Sequence, residues 1–225
     1  MKGEADTPDA PESSGLDALE RFRNIQWLRN HWSRPAAPRA YYWYLTFEES
    51  SGLHSLAAEC QEALAFPYYD LLPPRHLHLT LDRIAFDGDI TPRQLHAIEA
   101  AAIRPCQQMP PFDIAIGFLA GTPGALGYTA VPARPILVLR DTLQAAVLSV
   151  YPGAPVKRSA FHPHVTIGYA NTDGVPAAEV LAVVEKLHTA RINVTIKEAV
   201  LVLLERRQRS YAWQAVSRIP LAGEG

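Results

Sequence analysis

RHLHLTLDRIAF at positions 75–86 and FHPHVTIGYA at positions 161–170 are the two stretches that decide how this chain folds. Each contains a triplet of one histidine, one apolar residue and one threonine: His78-Leu79-Thr80 in the first and His164-Val165-Thr166 in the second. An apolar residue also follows each threonine, which is typical of a β-strand with one buried face. Because side chains alternate between the two faces of a strand, the histidine and the threonine of each triplet project to the same side. The sequence therefore predicts two strands that each present an imidazole and a hydroxyl together.

The same order of predicted elements surrounds both triplets. The first half of the chain has a strand at 41–47, a helix from Ser51 to about Phe66, the His78 strand, a helix from Thr91 to about Arg104 and a strand at 112–119. The second half has a strand at 126–131, a helix from Pro135 to about Val150, the His164 strand, a helix after Pro176 and strands at 192–204 and 211–218. This order predicts an α+β fold with two similar β-α-β-α-β lobes, each contributing one strand to a shared cleft.

The N-terminal region is expected to lie outside this repeat. Residues 1–14 are rich in acids, Pro and Ser, so we expect a disordered acidic tail. Between residues 15 and 33 apolar side chains recur three or four positions apart, which predicts an amphipathic helix packed on the outside. Residues 40–220 then form a single bilobal domain. His31-Trp32-Ser33 also fits the triplet, but it lies at the end of the predicted helix, and we interpret it as accidental.

The composition is that of an ordinary globular protein and argues against several classes. The 225 residues are 48% hydrophobic, and no apolar run reaches the roughly 18 residues that a membrane span requires. The N-terminus lacks a secretory hydrophobic segment, and Cys60 and Cys106 form no zinc-ligand spacing, so a cytoplasmic location without structural disulfides is expected. The net charge of −2 falls well short of the basic excess of a general nucleic-acid binder. We expect a monomer.

Two imidazoles that face each other across a cleft can divide the work of phosphodiester cleavage. The neutral ring takes a proton from the attacking hydroxyl or water, while the protonated ring gives one to the leaving oxygen. Histidine suits both roles because its unperturbed pKa of about 6.5 lies near working pH. Thr80 and Thr166 are placed to donate hydrogen bonds to the phosphoryl oxygens, on which charge builds. No nearby cluster of carboxylates calls for a metal, so neither a metal nor another cofactor is predicted.

This pattern resembles the two-histidine phosphoesterase superfamily, and specifically its 2′-5′ RNA ligase-like family. The resemblance rests on HLTL at 78–81, HVTI at 164–167 and the bilobal order of elements, and it spans roughly residues 40–218. It implies two pseudo-symmetric lobes whose antiparallel sheets line a central cleft, with helices on the outside.

The resemblance also implies an activity and its residues. The activity is metal-independent cleavage of 2′,3′-cyclic phosphate ends of RNA, or of small cyclic nucleotides, to 2′-phosphates; some relatives join such ends or open 2′-5′ linkages. His78 and His164 inherit the catalytic roles, and Thr80 and Thr166 the phosphate-binding roles. Some relatives carry an arginine shortly after the second motif, whereas IGYAN follows here, so that Tyr169 could replace it only as a neutral donor.

Further candidates for substrate contacts lie near the two motifs. They are His76, His162, Arg75, Arg83, Arg158 and Tyr42. His76 and His162 would share the faces of the catalytic histidines, or be partly exposed bystanders. The arginines would hold a second phosphate, or be solvated surface charges. Tyr42 would stack a base, or belong to the strand core.

Two other functions fit the same residues. The four histidines at 76, 78, 162 and 164 could bind zinc or copper, two from each strand, which would leave the threonines without a role. Alternatively, the cleft could bind RNA ends or nucleotides without catalysing a reaction.

Overall fold

The strands form two antiparallel sheets in the computed structural model, which describes residues 11–35, 37–187 and 190–223. In chain order they are β1 (Ala40–Thr46), β2 (Tyr69–Leu71), β3 (His78–Phe86), β4 (Phe112–Thr122), β5 (Ala125–Val131), β6 (His164–Ala170), β7 (Ile192–Ile196), β8 (Glu198–Arg206) and β9 (Tyr211–Pro220). One sheet has the order β3-β1-β8-β9, and the other has the order β2-β6-β5-β4-β7. The two histidine motifs therefore lie in different sheets.

Five α-helices of the described segments accompany the sheets. They are α1 (Pro11–Arg23), α2 (Ser51–Ala63), α3 (Pro92–Gln107), α4 (Ala133–Val150) and α5 (Ala178–Lys186). The predicted start of α3 is confirmed: the Thr91 hydroxyl accepts a hydrogen bond from the Gln94 backbone at 3.2 Å, and the Gln94 side chain accepts one from the Thr91 backbone at 3.0 Å. No helix of these segments is long and apolar enough to cross a membrane. Cys60 and Cys106 are both buried and free.

The predicted α+β fold with two lobes is confirmed, and its topology adds an exchange of strands between the halves. β4, from the first half of the chain, pairs with β5 and β7 in the second sheet. β8 and β9, from the second half, continue the first sheet beyond β1. The single strand predicted at 192–204 is instead two strands, because the chain passes from one sheet to the other at Lys197. The exchange joins the two lobes into one contiguous core.

The helix predicted over residues 15–33 was wrong in its second half. α1 begins at Pro11 and ends at Arg23, where the Asn24 side chain donates a hydrogen bond to the Glu20 carbonyl at 2.9 Å. Residues 24–35, here called the N-terminal arm, are irregular; Leu28 is buried, and its backbone N–H donates to the Val175 carbonyl at 2.8 Å. The apolar spacing of the arm predicted a helix, but its backbone forms hydrogen bonds of this long-range kind instead of helical ones. Of the predicted disordered tail at 1–14, residues 1–10 lie outside the described residues, and residues 11–14 belong instead to α1.

Helix α1 packs on β4 and adds to one wall of the cleft. The Phe22 ring is fully buried against Gly121, where a Cβ would lie 2.5 Å from a ring atom, so only glycine permits this approach. Ala18 and Arg21, on the same helix, line the cleft between the sheets. The helix is therefore part of the site's surroundings.

A buried ion pair ties the first histidine strand to the segment that leads into the second. Asp82 on β3 and Arg140 on α4 are 4% and 6% exposed, and their charged atoms are 3.6 Å apart. Arg140 also donates to the Leu81 carbonyl at 3.1 Å, and Asp82 accepts the Lys157 backbone N–H at 3.2 Å. The Arg140 guanidinium lies 4.7 Å from the ring centre of Phe161, three residues before His164. This network links β3 and α4 to the segment that precedes β6.

We expect Arg140→Met to lower the free energy of unfolding by about 3–5 kcal/mol, because it leaves the Asp82 charge buried without its partner. The double variant Asp82→Leu/Arg140→Met should have a smaller loss in free energy of unfolding than the single variant, because it leaves no buried charge. Urea denaturation followed by circular dichroism measures both. Arg218→Met is the matched control, since the Arg218 pairs with Glu48 and Glu198 are exposed and such pairs contribute at most about 1 kcal/mol. Equal losses at Arg140 and Arg218 would contradict the expectation.

Candidate active site

A cleft of about 590 Å³ lies between the two sheets and contains both predicted motifs. His78 and Thr80 reach it from β3, and His164 and Thr166 reach it from β6. β3 and β6 also contact each other directly, although they belong to different sheets. The structure thus brings together the four residues that the sequence singled out.

The same hydrogen bond orients both imidazoles. His78 Nδ1 lies 2.8 Å from the His76 carbonyl oxygen, and His164 Nδ1 lies 2.8 Å from the His162 carbonyl oxygen. Since a carbonyl can only accept, each Nδ1 must carry the proton. Nε2 is then the nitrogen that is free to take or give a proton in either ring.

His76 and His162 differ from the prediction that their side chains share the strand faces. His76 lies in a 3₁₀ turn (Pro74–His76) before β3, and its side chain does not line the cleft. His162 precedes β6 and is among the residues that line the cleft. What the two residues have in common is a backbone carbonyl that orients the histidine two residues later, a role that reasoning from side chains alone could not detect.

The two histidines have unlike surroundings. His78 is 7% exposed, and the Tyr44 ring stacks on it with centroids 4.1 Å apart and planes 8° from parallel. The Trp213 ring meets it edge-on, with centroids 6.3 Å apart. Burial lowers the pKa of His78 to about 4, because it disfavours the charged form. His164, by contrast, is exposed.

Each threonine has a tyrosine beside it: Tyr44 lies opposite Thr80 on the neighbouring strand β1, and Tyr169 follows Thr166 on β6 itself. Burial raises the pKa of Tyr44 well above its usual value, and the nearby Thr80 hydroxyl opposes this rise. Burial likewise raises the pKa of Tyr169, against the effect of the Thr166 hydroxyl. Both phenols therefore remain neutral hydrogen-bond donors at any working pH.

The remaining predicted contacts divide into two groups. Tyr42 on β1 and Arg83 on β3 line the cleft, and Arg83 also lies 4.4 Å from the ring centre of Phe86. Arg75 and Arg158 are exposed and lie outside the cleft lining.

Sequence reasoning missed an aromatic wall that the N-terminal arm completes. The His31 ring packs on Tyr169 at a tilt of 31°, with ring centroids 4.1 Å apart, and its Nε2 lies 2.8 Å from the Tyr211 hydroxyl. His31 lies on no strand, as expected of an accidental triplet, yet its side chain lines the cleft. Its backbone N–H donates a hydrogen bond to the Ala170 carbonyl at 2.8 Å. No local sequence pattern predicts this long-range bond.

The four-histidine metal site is not formed. Among the residues that the structure describes, no three His, Cys, Asp or Glu side chains come together in a way that could hold a metal ion. The predicted pairing of His76 with the other three fails because its side chain lies outside the cleft.

Solved structures with the same fold are similar to this chain at low sequence identity. TT0787 of Thermus thermophilus has a TM-score of 0.64 at 18% identity, and covers 83% of this chain and 100% of that one. E. coli LigT complexed with NADP+ has a TM-score of 0.60 at 14% identity, with coverages of 83% and 99%. The MHV ns2 PDE domain has a TM-score of 0.51 at 13% identity, with coverages of 74% and 99%. No curated protein sequence matches the chain.

A family model settles the relationship that the fold suggests. The 2′-5′ RNA ligase superfamily matches residues 52–208, well over half of the chain. The matched region includes both triplets and the backbone carbonyls that orient their histidines. The chain therefore belongs to the 2′-5′ RNA ligase superfamily, as its two motifs predicted.

Proposed function

We propose that this protein is a metal-independent phosphodiesterase that opens 2′,3′-cyclic phosphates at RNA ends or on small nucleotides. The observation that carries the proposal is the pair of imidazoles on facing strands, each oriented by the same Nδ1–carbonyl bond and each with a threonine beside it. Membership of the superfamily supports it. So do the structures of E. coli LigT with 3′-AMP and with phosphate, which are similar in fold.

His78 is proposed as the general base. Its burial keeps Nε2 unprotonated, so the ring can accept a proton from the attacking water. As that proton moves to Nε2, the water oxygen forms a bond to phosphorus. A 5′-hydroxyl in place of water would give a 2′-5′ linkage by the same step, which is the ligation that the family name describes.

His164 is proposed as the general acid. Its protonated Nε2 gives a proton to the 3′-oxygen as the phosphorus–oxygen bond breaks, so the product carries a 2′-phosphate. Because His164 is exposed, it can regain a proton from water, while His78 returns its own to solvent. Thr80 and Thr166 donate hydrogen bonds to the non-bridging oxygens, where charge increases in the transition state.

We expect His78→Ala and His164→Ala each to lower kcat by about 10²–10⁴-fold on a 2′,3′-cyclic nucleotide, because each removes a positioned proton-transfer group. The wild-type protein should turn over fully in EDTA and release the 2′-phosphate, as chromatography of the products would show. His96→Ala is the matched control, since the His96 side chain is 83% exposed on α3.

Three outcomes would contradict the proposal. Loss of activity in chelator would mean that a metal takes part. Binding of RNA ends or nucleotides without turnover by the wild-type protein would make the cleft a binding module. Unchanged rates in the two cleft variants would place the chemistry elsewhere.

The titration of His78 tests its role as base. Since burial lowers its pKa to about 4, the neutral form persists as pH falls, and the acid limb of kcat/KM should decline only near pH 4. Tyr44→Ala would expose the ring to water, so its pKa should rise toward the usual value of about 6.5, and the acid limb should move with it. NMR titration of the His78 Cε1 proton measures the pKa, and a wild-type value of about 6.5 would remove the reason for naming His78 the base.

A further inference from the structure

A second cavity of about 630 Å³ opens beside the active-site cleft. Its walls are the N-terminal arm, the turn at Pro123 and Gly124 between β4 and β5, and the end of β8. The two cavities adjoin, because four residues line both of them: His31, Tyr42, Leu204 and Tyr211. A molecule that reaches past these residues would occupy both spaces.

The second cavity is cationic. Arg29, Arg34 and Arg206 line it, and none of its lining residues is an acid. Arg29 and Arg34 are exposed and form no ion pair within the described part of the chain, whereas Arg39, just beyond the arm, pairs with Asp87. An anion would thus meet guanidinium groups that no carboxylate already neutralises.

Arg206 differs from the other two because it is built into the wall. Its two terminal nitrogens donate to the carbonyls of Trp32 at 2.8 Å and Pro35 at 3.1 Å, so it holds the arm against β8. Its Nε is buried without a hydrogen-bond partner in the described structure. The positive charge also reaches the cleft: burial first, then Arg206 and Arg34, lower the pKa of His31 to about 4.

The arm that carries these arginines is held on both sides of the cavity. Arg29 donates its backbone N–H to the Pro123 carbonyl at 2.7 Å, and Asn30 donates to the Asp173 carboxylate at 2.9 Å. The Trp32 indole donates to the Asp70 carboxylate at 2.8 Å. Because these bonds fix the backbone, the cavity exists before any ligand binds, and little ordering of the chain opposes binding.

We propose that this cavity, the arginine groove, binds a second phosphate of the substrate, one nucleoside or one ribose away from the phosphate that reacts. The proposal rests on the proposed function, because the reacting phosphate must lie between His78 and His164. Tyr42 and Tyr211 separate the two cavities, so a nucleoside that joins the two phosphates would pass over their rings. The substrate is then a cyclic-phosphate end that carries a further phosphate, and a cyclic mononucleotide is only a minimal version of it.

Two kinds of molecule supply such a second phosphate, and three substrates distinguish them. The probes are a 2′,3′-cyclic mononucleotide, a dinucleotide with a 2′,3′-cyclic phosphate end, and an ADP-ribose cyclic phosphate. We expect the wild-type protein to have at least a tenfold higher kcat/KM on one of the two larger probes than on the mononucleotide. Which of the two it prefers identifies the source of the second phosphate.

The double variant Arg29→Ala/Arg34→Ala tests the groove itself. It should lower kcat/KM on the preferred larger probe about tenfold or more, mainly by raising KM. On the mononucleotide, kcat/KM should change less than twofold. The rate on the larger probe should also fall more steeply with salt in the wild-type protein than in the variant. The matched control is Arg93→Ala/Arg104→Ala, which removes two exposed arginines of α3. It should leave kcat/KM unchanged on both the larger probe and the mononucleotide.

The results separate the groove from the proposed function. Equal effects of the arginine variant on large and small probes, or effects no greater than those of the α3 control, would overturn the groove. If no probe is turned over, the proposed function fails, and the groove is then judged by titrating the proteins with 2′-AMP and with a dinucleotide that ends in a 2′-phosphate. Weaker binding of the dinucleotide alone by the arginine variant supports the groove; equal binding by both proteins overturns it.

Discussion

The hydrogen bond from each histidine Nδ1 to the carbonyl two residues earlier determines what the cleft can do. It is 2.8 Å long at both His78 and His164, and it assigns Nε2 as the reactive atom in both rings. This bond is local, so either strand could form it alone. Two correctly oriented rings become useful only when the strands face each other. The core that β3 and β6 share holds them together, and the buried Asp82–Arg140 pair links β3, α4 and the segment before β6. Local geometry thus orients each ring, and tertiary packing brings the two rings to one cleft.

A nearly symmetric frame carries two histidines that are not equivalent. Both have the same hydrogen bond and a matching threonine and tyrosine, yet the Tyr44 and Trp213 rings cover His78 alone. Removing water from one imidazole disfavours its charged form, whereas the exposed His164 keeps contact with solvent. Acid–base catalysis requires one neutral ring and one protonated ring at the same moment. The aromatic packing makes the surroundings of the two rings unlike without any change in the motif itself.

The parts that could be predicted from the sequence are those that local patterns encode. The two histidine strands, the capped start of α3 and the order of elements all follow from residues within a few positions of one another. The exchange of strands could not be predicted, because no pattern marks Lys197 as the place where the chain leaves one sheet for the other. His31 was missed for a related reason. The arm has helical spacing, but its backbone hydrogen bonds go to Ala170 and Val175, far away in the sequence.

The arm and the region that matches the superfamily contribute different parts of the site. The region that matches the superfamily, residues 52–208, holds the two histidines, the two threonines and the buried ion pair. Arg29, His31 and Arg34 lie before that region, and they form the part of the wall that a longer substrate would meet. His31 connects these two parts. Its ring packs on Tyr169, which lies next to Thr166, while its backbone belongs to the arm. His31 therefore connects the arm, which lines the second cavity, with the part of the cleft that contains Thr166.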